Sequence, residues 1–340
     1  MTSSIDKLGN VPRLLMEANL EPIQGSRFQP TAFADLGAAV YERPDGKRMI
    51  LLETSQSVAN RLEQTCLDGG GPRIIKDLDG LPYILVKLTG DVASETSSLV
   101  EPHRINSPFI INDKELQTKF KTMSGYSKGH PLDWKKIGKT FFFFDPNAIL
   151  HGVFMANLED GRIKLPRVVT GFIEAEDIRE AASGGVKNNP LDPSGKIRVE
   201  GYDKDVYGNV PYHRMEYTAG KITAYFNVDL ALLDGYGFDP VAKDLMVYLA
   251  LYKIRKFMNT GLRLRTACDL KMIGDLKVKA PEGFILPDEN ALIGHIRTGI
   301  KTCTEKKLFA SPPVTQIIVK VKEKKKEDKP QDDTEKDETV

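Results

Sequence analysis

Between Arg48 and Gln64 the chain changes its hydrophobic period across a four-residue join, and no other stretch restricts the fold as much. Arg48-Met49-Ile50-Leu51-Leu52 is a short apolar run behind one basic residue and reads as extended. Val58-Ala59-Asn60-Arg61-Leu62-Glu63 reads as a helix. Thr54, Ser55, Gln56 and Ser57 fill the join, and hydroxyls placed there cap the free N–H groups of a first helical turn. Those N–H groups and the helix dipole also make an anion site, with Asn60 and Arg61 close by. On these residues alone an ordinary helix cap is the commoner outcome of such a join.

With 340 residues the chain can bury a large core. Hydrophobic residues at 41% and charged residues at 28% place it among soluble globular proteins. A formal net charge of +1 means that any nucleic-acid surface must be local. Cys66, Cys268 and Cys303 are far apart and form no Cys-x-x-Cys pair, which fits a reducing cytosol and argues against a zinc ribbon. The N-terminus lacks a signal-peptide pattern, and the longest apolar run, 245–252, is too short to cross a bilayer. The expectation is a cytoplasmic protein with no membrane partner.

In chain order, Val11–Ala18 reads as a short helix with Pro12 in its first turn. Leu20–Gln24 is extended, and Arg43–Lys47 is a turn between two strands. Gly25-Ser26-Arg27-Phe28-Gln29 mixes a glycine, a cation and an aromatic, which suits base stacking and phosphate contact or a plain anchored loop. Tyr83–Leu88 reads as a strand, Phe141–Phe144 as a buried strand, and Ala148–Ala156 and Arg167–Ile173 as two more. Residues 183–195 read as a long mobile loop in which Lys187, Asn188 and Asn189 can meet a backbone. Tyr212–Tyr217 and Lys221–Leu230 read as a hairpin around Ala219-Gly220. Asp239, Pro240 and Gly261 bound the clearest helix, with Val241, Leu245, Leu249 and Tyr252 as one apolar stripe. From residue 320 onward, seven lysines and eight acids with almost no apolar content indicate disorder.

Two stretches are locally basic. Residues 113–139 carry seven lysines against three acids, with Tyr126 and the single Trp134 among them. Residues 253–279 carry eight cations against two acids, including Arg263 and Arg265. Either can be an RNA surface or a solvated helix face.

The order of strands and helices suits an α+β core of ferredoxin-like or RRM type with large insertions, without the usual RRM aromatic signature. Specific strings go further: Leu20-Glu21-Pro22, Gly25–Thr31, Asp35–Ala39, Leu52–Glu63, Arg167–Ile173 and Gly261–Cys268. Over roughly residues 10–310, these resemble the repeated backbone subunit (Cas-seven type, called Csb-one) of type I-G, formerly I-U, CRISPR Cascade complexes, in the RAMP superfamily. The resemblance implies a hand-shaped fold, an RRM-like palm with finger and thumb insertions near 107–145 and 183–210. It implies antiviral defence: CRISPR RNA binding, pairing of that guide with target DNA, and assembly with further copies of the chain and other Cascade subunits. On this reading the RNA-binding residues are Arg27, Phe28, Gln29, Thr54, Ser55, Gln56, Ser57, Asn60, Arg61, Lys187, Asn188, Asn189, Arg263 and Arg265.

The rival reading is a ribonuclease of the same superfamily, with Asp192 as the nearest acid and His103 or His213 as a base. Asp192 lies between prolines, where aspartate is ordinary turn chemistry. The five histidines show no metal-ligand spacing, and no phosphate-binding Gly-x-x-x-x-Gly-Lys loop occurs. The expectation is no catalysis, no metal and no cofactor. A scaffold that binds only protein is the third possibility, separable by salt-sensitive RNA binding.

Overall fold

A computed structural model describes residues 5, 8–9, 11–33, 36–201 and 208–322. Asp35 and residues 323–340 of the charged tail lie outside the described residues. In chain order the main elements are β1 (Arg13–Pro22), β2 (Val40–Glu42), β3 (Arg48–Glu53), α1 (Ser55–Gln64), β4 (Tyr83–Gly90) and β5 (Ser94–Ser97). Next come α2 (Lys114–Ser124), α3 (Trp134–Phe144), α4 (Pro146–His151), β6 (Val169–Glu176), β7 (Arg179–Lys187), β8 (Val210–Thr218) and β9 (Lys221–Asp229). The chain ends with α5 (Pro240–Asn259), β10 (Leu262–Arg265), β11 (Cys268–Ala280), α6 (Glu289–Glu305) and β12 (Val314–Val321).

Seven strands form one antiparallel sheet in the order β10-β11-β1-β9-β6-β3-β2. Alternation decides its two faces. Leu14, Met16, Ala18 and Leu20 of β1 are buried, as are Ile222, Ala224, Phe226 and Val228 of β9. Helices α1 and α5 cover that face. Gly171 on β6 permits the close approach of α1: a Cβ there would lie 3.0 Å from Val58 and 2.7 Å from the Phe226 ring. On the other face Phe172 and Tyr225 stack at 5.0 Å. Helix α5 starts from its Asp239 cap and Pro240 as expected, and Gly261 follows it with φ +76°. Its burial is not one stripe, however. Leu245 to Ile254 is buried without interruption, Lys253 included, because α1, α6 and the sheet surround it.

A second, three-stranded sheet runs β12-β4-β5, with β12 parallel to β4. Lys320 and Val321 belong to β12, paired with Thr89 and Gly90, so the ordered chain continues past the expected boundary at 320.

Five further expectations change. Residues 13–18 are strand: the buried residues alternate, and Pro12 precedes a strand. Phe141–Phe144 closes helix α3, where Ile137, Phe141 and Phe144 recur at helical spacing and Phe141 meets Phe120 edge-on at 5.1 Å. Residues 148–151 are helix started by the Asp145 cap and Pro146, and only Val153–Phe154 is strand. Residues 183–187 are strand β7, not loop. Finally, β8 and β9 follow one another but do not pair. Instead β6 and β9 pair in the main sheet, and their continuations β7 and β8 pair with each other as a two-stranded ribbon. Asp177, at φ +56°, marks the passage from sheet to ribbon.

The basic stretch 113–139 forms α2 and α3, packed on one another. Its lysines face outward and Trp134 is exposed, whereas Tyr126 is buried with its hydroxyl on Asp160.

Candidate nucleic-acid interface

The β3–α1 corner forms as the sequence dictates. Thr54 is extended at φ −74°, ψ 163°, and its side chain accepts the Ser57 N–H at 3.1 Å. The last strand residue, Glu53, turns inward and has no solvent exposure. Its carboxylate accepts from Ser57 Oγ, from Arg61 Nη2 at 3.1 Å and from Arg265 Nη2. Arg61 also donates to the Leu264 carbonyl, and Arg265 to the carbonyls of Leu52 at 2.8 Å and Gln29 at 3.1 Å. Ser57, Arg61 and Arg265 are therefore brackets that tie α1, β10 and residue 29 to one buried charge. The Arg61 and Arg265 side chains each keep 24% of their surface in solvent, so neither arginine is wholly enclosed.

A second buried glutamate repeats the device. Glu216 on β8 accepts from Arg214 Nε at 2.8 Å and lies 3.5 Å from Arg27 Nη1. The segment 23–29 spans from the β10–β11 turn to the foot of the ribbon. Ile23 N–H donates to the Asp269 carbonyl, Gln29 N–H to that of Ala267, and Phe28 exchanges two backbone bonds with Tyr217. Between these parts lies a cleft of about 510 Å³, lined by Arg27, Arg214 and Arg263 with Ser183, Glu216 and Asp269. Arg263 is 73% exposed, 3.7 Å from Asp269, and Arg27 is 55% exposed. Around the cleft and its bracket stand five arginines (27, 61, 214, 263, 265) against Glu53, Glu216 and Asp269, a net positive mouth.

The sequence-predicted residues divide accordingly. Arg27 and Arg263 meet in the mouth, and Gln29, Arg61 and Arg265 meet at the Glu53 bracket. Phe28 is 1% exposed, so its ring packs in the core and offers no stacking face. Gln56 and Asn60 are exposed and bonded to each other at 2.8 Å, and Ser55 is partly buried beside the Thr54 cap. Lys187 and Asn188 are exposed at the far end of the ribbon, and Asn189 accepts the N–H groups of Leu191 and Asp192. They lie four to six positions beyond Ser183, roughly 13–20 Å at 3.3 Å per residue. Arg214, Glu216 and Glu53 were missed. Arg214 sits on an alternating strand without a local signal, and the glutamates declare their role only through partners distant in sequence.

The Asp192 carboxylate accepts from Ile197 N–H at 2.7 Å and Ser194 Oγ at 3.0 Å, and these bonds hold its pKa below the usual range. It organises its own loop. His213 stands on β8 opposite Gly184, and His103 lines a different cleft. Among the described residues no three His, Cys, Asp or Glu side chains converge as a metal site, and no helix is long and apolar enough to cross a membrane.

No curated protein matches the sequence. Among solved structures the chain is similar to one in a "CRISPR RNA-guided surveillance complex, pre-nicking", at 13% identity and TM-score 0.38, covering 86% of this chain and 89% of that one. It is also similar to Csc2 of Thermofilum pendens, at 11% identity and TM-score 0.30, covering 90% and 81%. Residues 14–180, from β1 into β7 and including the Glu53–α1 corner, match the family model described as CRISPR-associated protein GSU0053.

Proposed function

We propose that this chain is a CRISPR RNA-binding backbone subunit of a surveillance complex of the Cascade kind, of type I-G, present in repeated copies. The observation that carries the reading is the mouth where Arg27, Arg214 and Arg263 converge on the foot of a projecting ribbon, within and beside the stretch that matches a CRISPR-associated family. Strands β11-β1-β9-β6 with α1 and α5 on one face have the strand order of a ferredoxin-like palm. The ribbon 179–218 is then the thumb and the helices of 107–145 the finger. Buried Glu53 and Glu216 fix guanidiniums in place, and the partly exposed Arg27 and Arg214 side chains beside Glu216 can meet phosphate with little further loss of side-chain entropy. Binding is electrostatic and geometric: phosphates are held and bases remain open for pairing with target DNA. The neighbours are other copies of the chain and other subunits, in the cytoplasm. No chemistry is assigned, and Asp192→Ala is expected to leave the activity of an assembled complex unchanged.

The first experiment is the absorbance of the purified protein. Co-purified nucleic acid, released by high salt and degraded by ribonuclease, supports the reading. Protein free of nucleic acid that also fails to bind added guide RNA overturns it.

A further inference from the structure

A second cleft, of about 540 Å³, shares no residue with the arginine mouth. Its walls are the segment 102–108 and the short paired strands Val153–Phe154 and Lys164–Leu165. His103, Arg104, Lys164 and Arg167 line it, and no Asp or Glu does. Arg104 is matched by Glu63, through bonds of 2.6 and 2.8 Å. Arg167 and Lys164 have no carboxylate within ion-pair distance among the described residues. Arg167 donates to the His151 carbonyl at 3.3 Å and to Gln56 of α1, both uncharged. Burial, and then the Arg104 charge beside it, pull Arg167 below its ordinary pKa, with Glu63 opposing them.

Behind the wall, His151 has one ring nitrogen without a partner. Lys253 Nζ lies 2.9 Å from His151 Nε2, and both residues are buried. An ammonium has only protons to give, so Nε2 accepts and the ring proton resides on Nδ1. That Nδ1 is buried and makes no hydrogen bond. At the mouth, Phe154 is 52% exposed, with Lys164 Nζ 5.9 Å from its ring centre. A half-exposed ring with one face under Lys164, beside cations that have no carboxylate in ion-pair contact, is a combination that can receive a base and its phosphate. Gly152, at φ +75°, keeps the walls close: a Cβ there would meet the Leu165 carbonyl at 2.9 Å.

We propose that this cleft binds one nucleotide, its base on Phe154 and its phosphate between Lys164 and Arg167. The nucleotide belongs to an RNA strand or is free, and the two sources share this chemistry. The site does not depend on the Arg263 mouth.

The test uses the full chain as Phe154→Ala, Lys164→Gln and Lys164→Gln/Arg167→Gln, beside Arg263→Gln, each first checked for a wild-type melting curve. A labelled oligouridine is titrated across a salt series, and uridine 5′-monophosphate is assayed by thermal shift. For a strand, Phe154→Ala is expected to weaken binding about fivefold or more. The Lys164 variants are expected to reduce the slope of log K against log salt by about 0.7, one phosphate contact on a single strand. If only the monophosphate separates wild type from these variants, the source is a free nucleotide and the site stands. If neither ligand separates them, the proposal is overturned, whatever Arg263→Gln does. Because Lys164 and Phe154 are exposed, their variants read the site even if the Arg167 change disturbs folding.

Discussion

Glu53 has no contact with water and holds two arginines drawn from positions 61 and 265. Removing its charge leaves both guanidiniums half-buried without a counter-ion. Glu53→Gln is therefore expected to cost about 3 kcal/mol, read as a lowered midpoint in urea at unchanged slope. A surface pair such as Arg73–Glu95 contributes far less, about 0–1 kcal/mol. Asp145 gives a pH signature. Burial raises its pKa to about 6, against 3.8 as the ordinary value, so the folded state holds its proton more tightly than the unfolded chain does. Its contribution to stability therefore falls as pH rises from about 4 to about 6. His151 acts in the opposite sense: burial and the Lys253 charge keep it neutral, so its contribution is lost as pH drops below the ordinary histidine value. The two overlap, and the wild-type stability minus that of Asp145→Asn isolates the first. That difference is expected to decline from pH 4 to pH 6, and a flat difference contradicts the assignment. Asn is the suitable replacement because Asp145 also caps α4 through Asn147 N–H at 2.9 Å.

Elements with local punctuation were legible. Thr54 before α1, Asp239-Pro240 before α5 and the turn at 43–47 each announce themselves within a few residues. Strand β1 was missed because Pro12 suits a helix start, while the alternation of Leu14, Met16, Ala18 and Leu20 is the feature the sheet uses. The ribbon was missed for another reason. Arg179–Lys187 carries Ser183, Gly184 and Gly185 and buries little, so its strand character comes from pairing with β8 rather than from its own side chains. Half of the candidate mouth was therefore legible, as Arg27 and Arg263, and half was not, as Arg214 and Glu216. Two predictions belong here. Gly171→Ala drives a methyl into the Phe226 ring and the Tyr225 carbonyl, and is expected to destabilise by about 1–3 kcal/mol in chemical unfolding. Replacing 188–209 by a short turn leaves the main sheet intact and is expected to keep the melting temperature while weakening RNA binding. A large fall in melting temperature contradicts the reading of the ribbon as an independent arm.

At the scale of the molecule, a net charge of +1 conceals strong segregation. Arginines gather at the mouth around two buried glutamates, and lysines spread over α2 and α3. Composition alone could not reveal this, because the partners are brought together by sheet order. Deleting 323–340 spares β12 and is expected to leave the melting temperature unchanged, since so polar a segment has little to bury. Deleting from 321 removes the last pair of that strand and is not equivalent. The central claim is that the mouth is a phosphate track, and salt titration of RNA binding tests it most directly. Wild type and Arg27→Gln/Arg263→Gln are titrated with the same unstructured RNA across a salt series. The account predicts that the double variant binds more weakly to every sequence and that its slope of log K against log salt is shallower by about 1.4, two phosphate contacts on a single strand. Equal affinity and equal slope for the two proteins would contradict it.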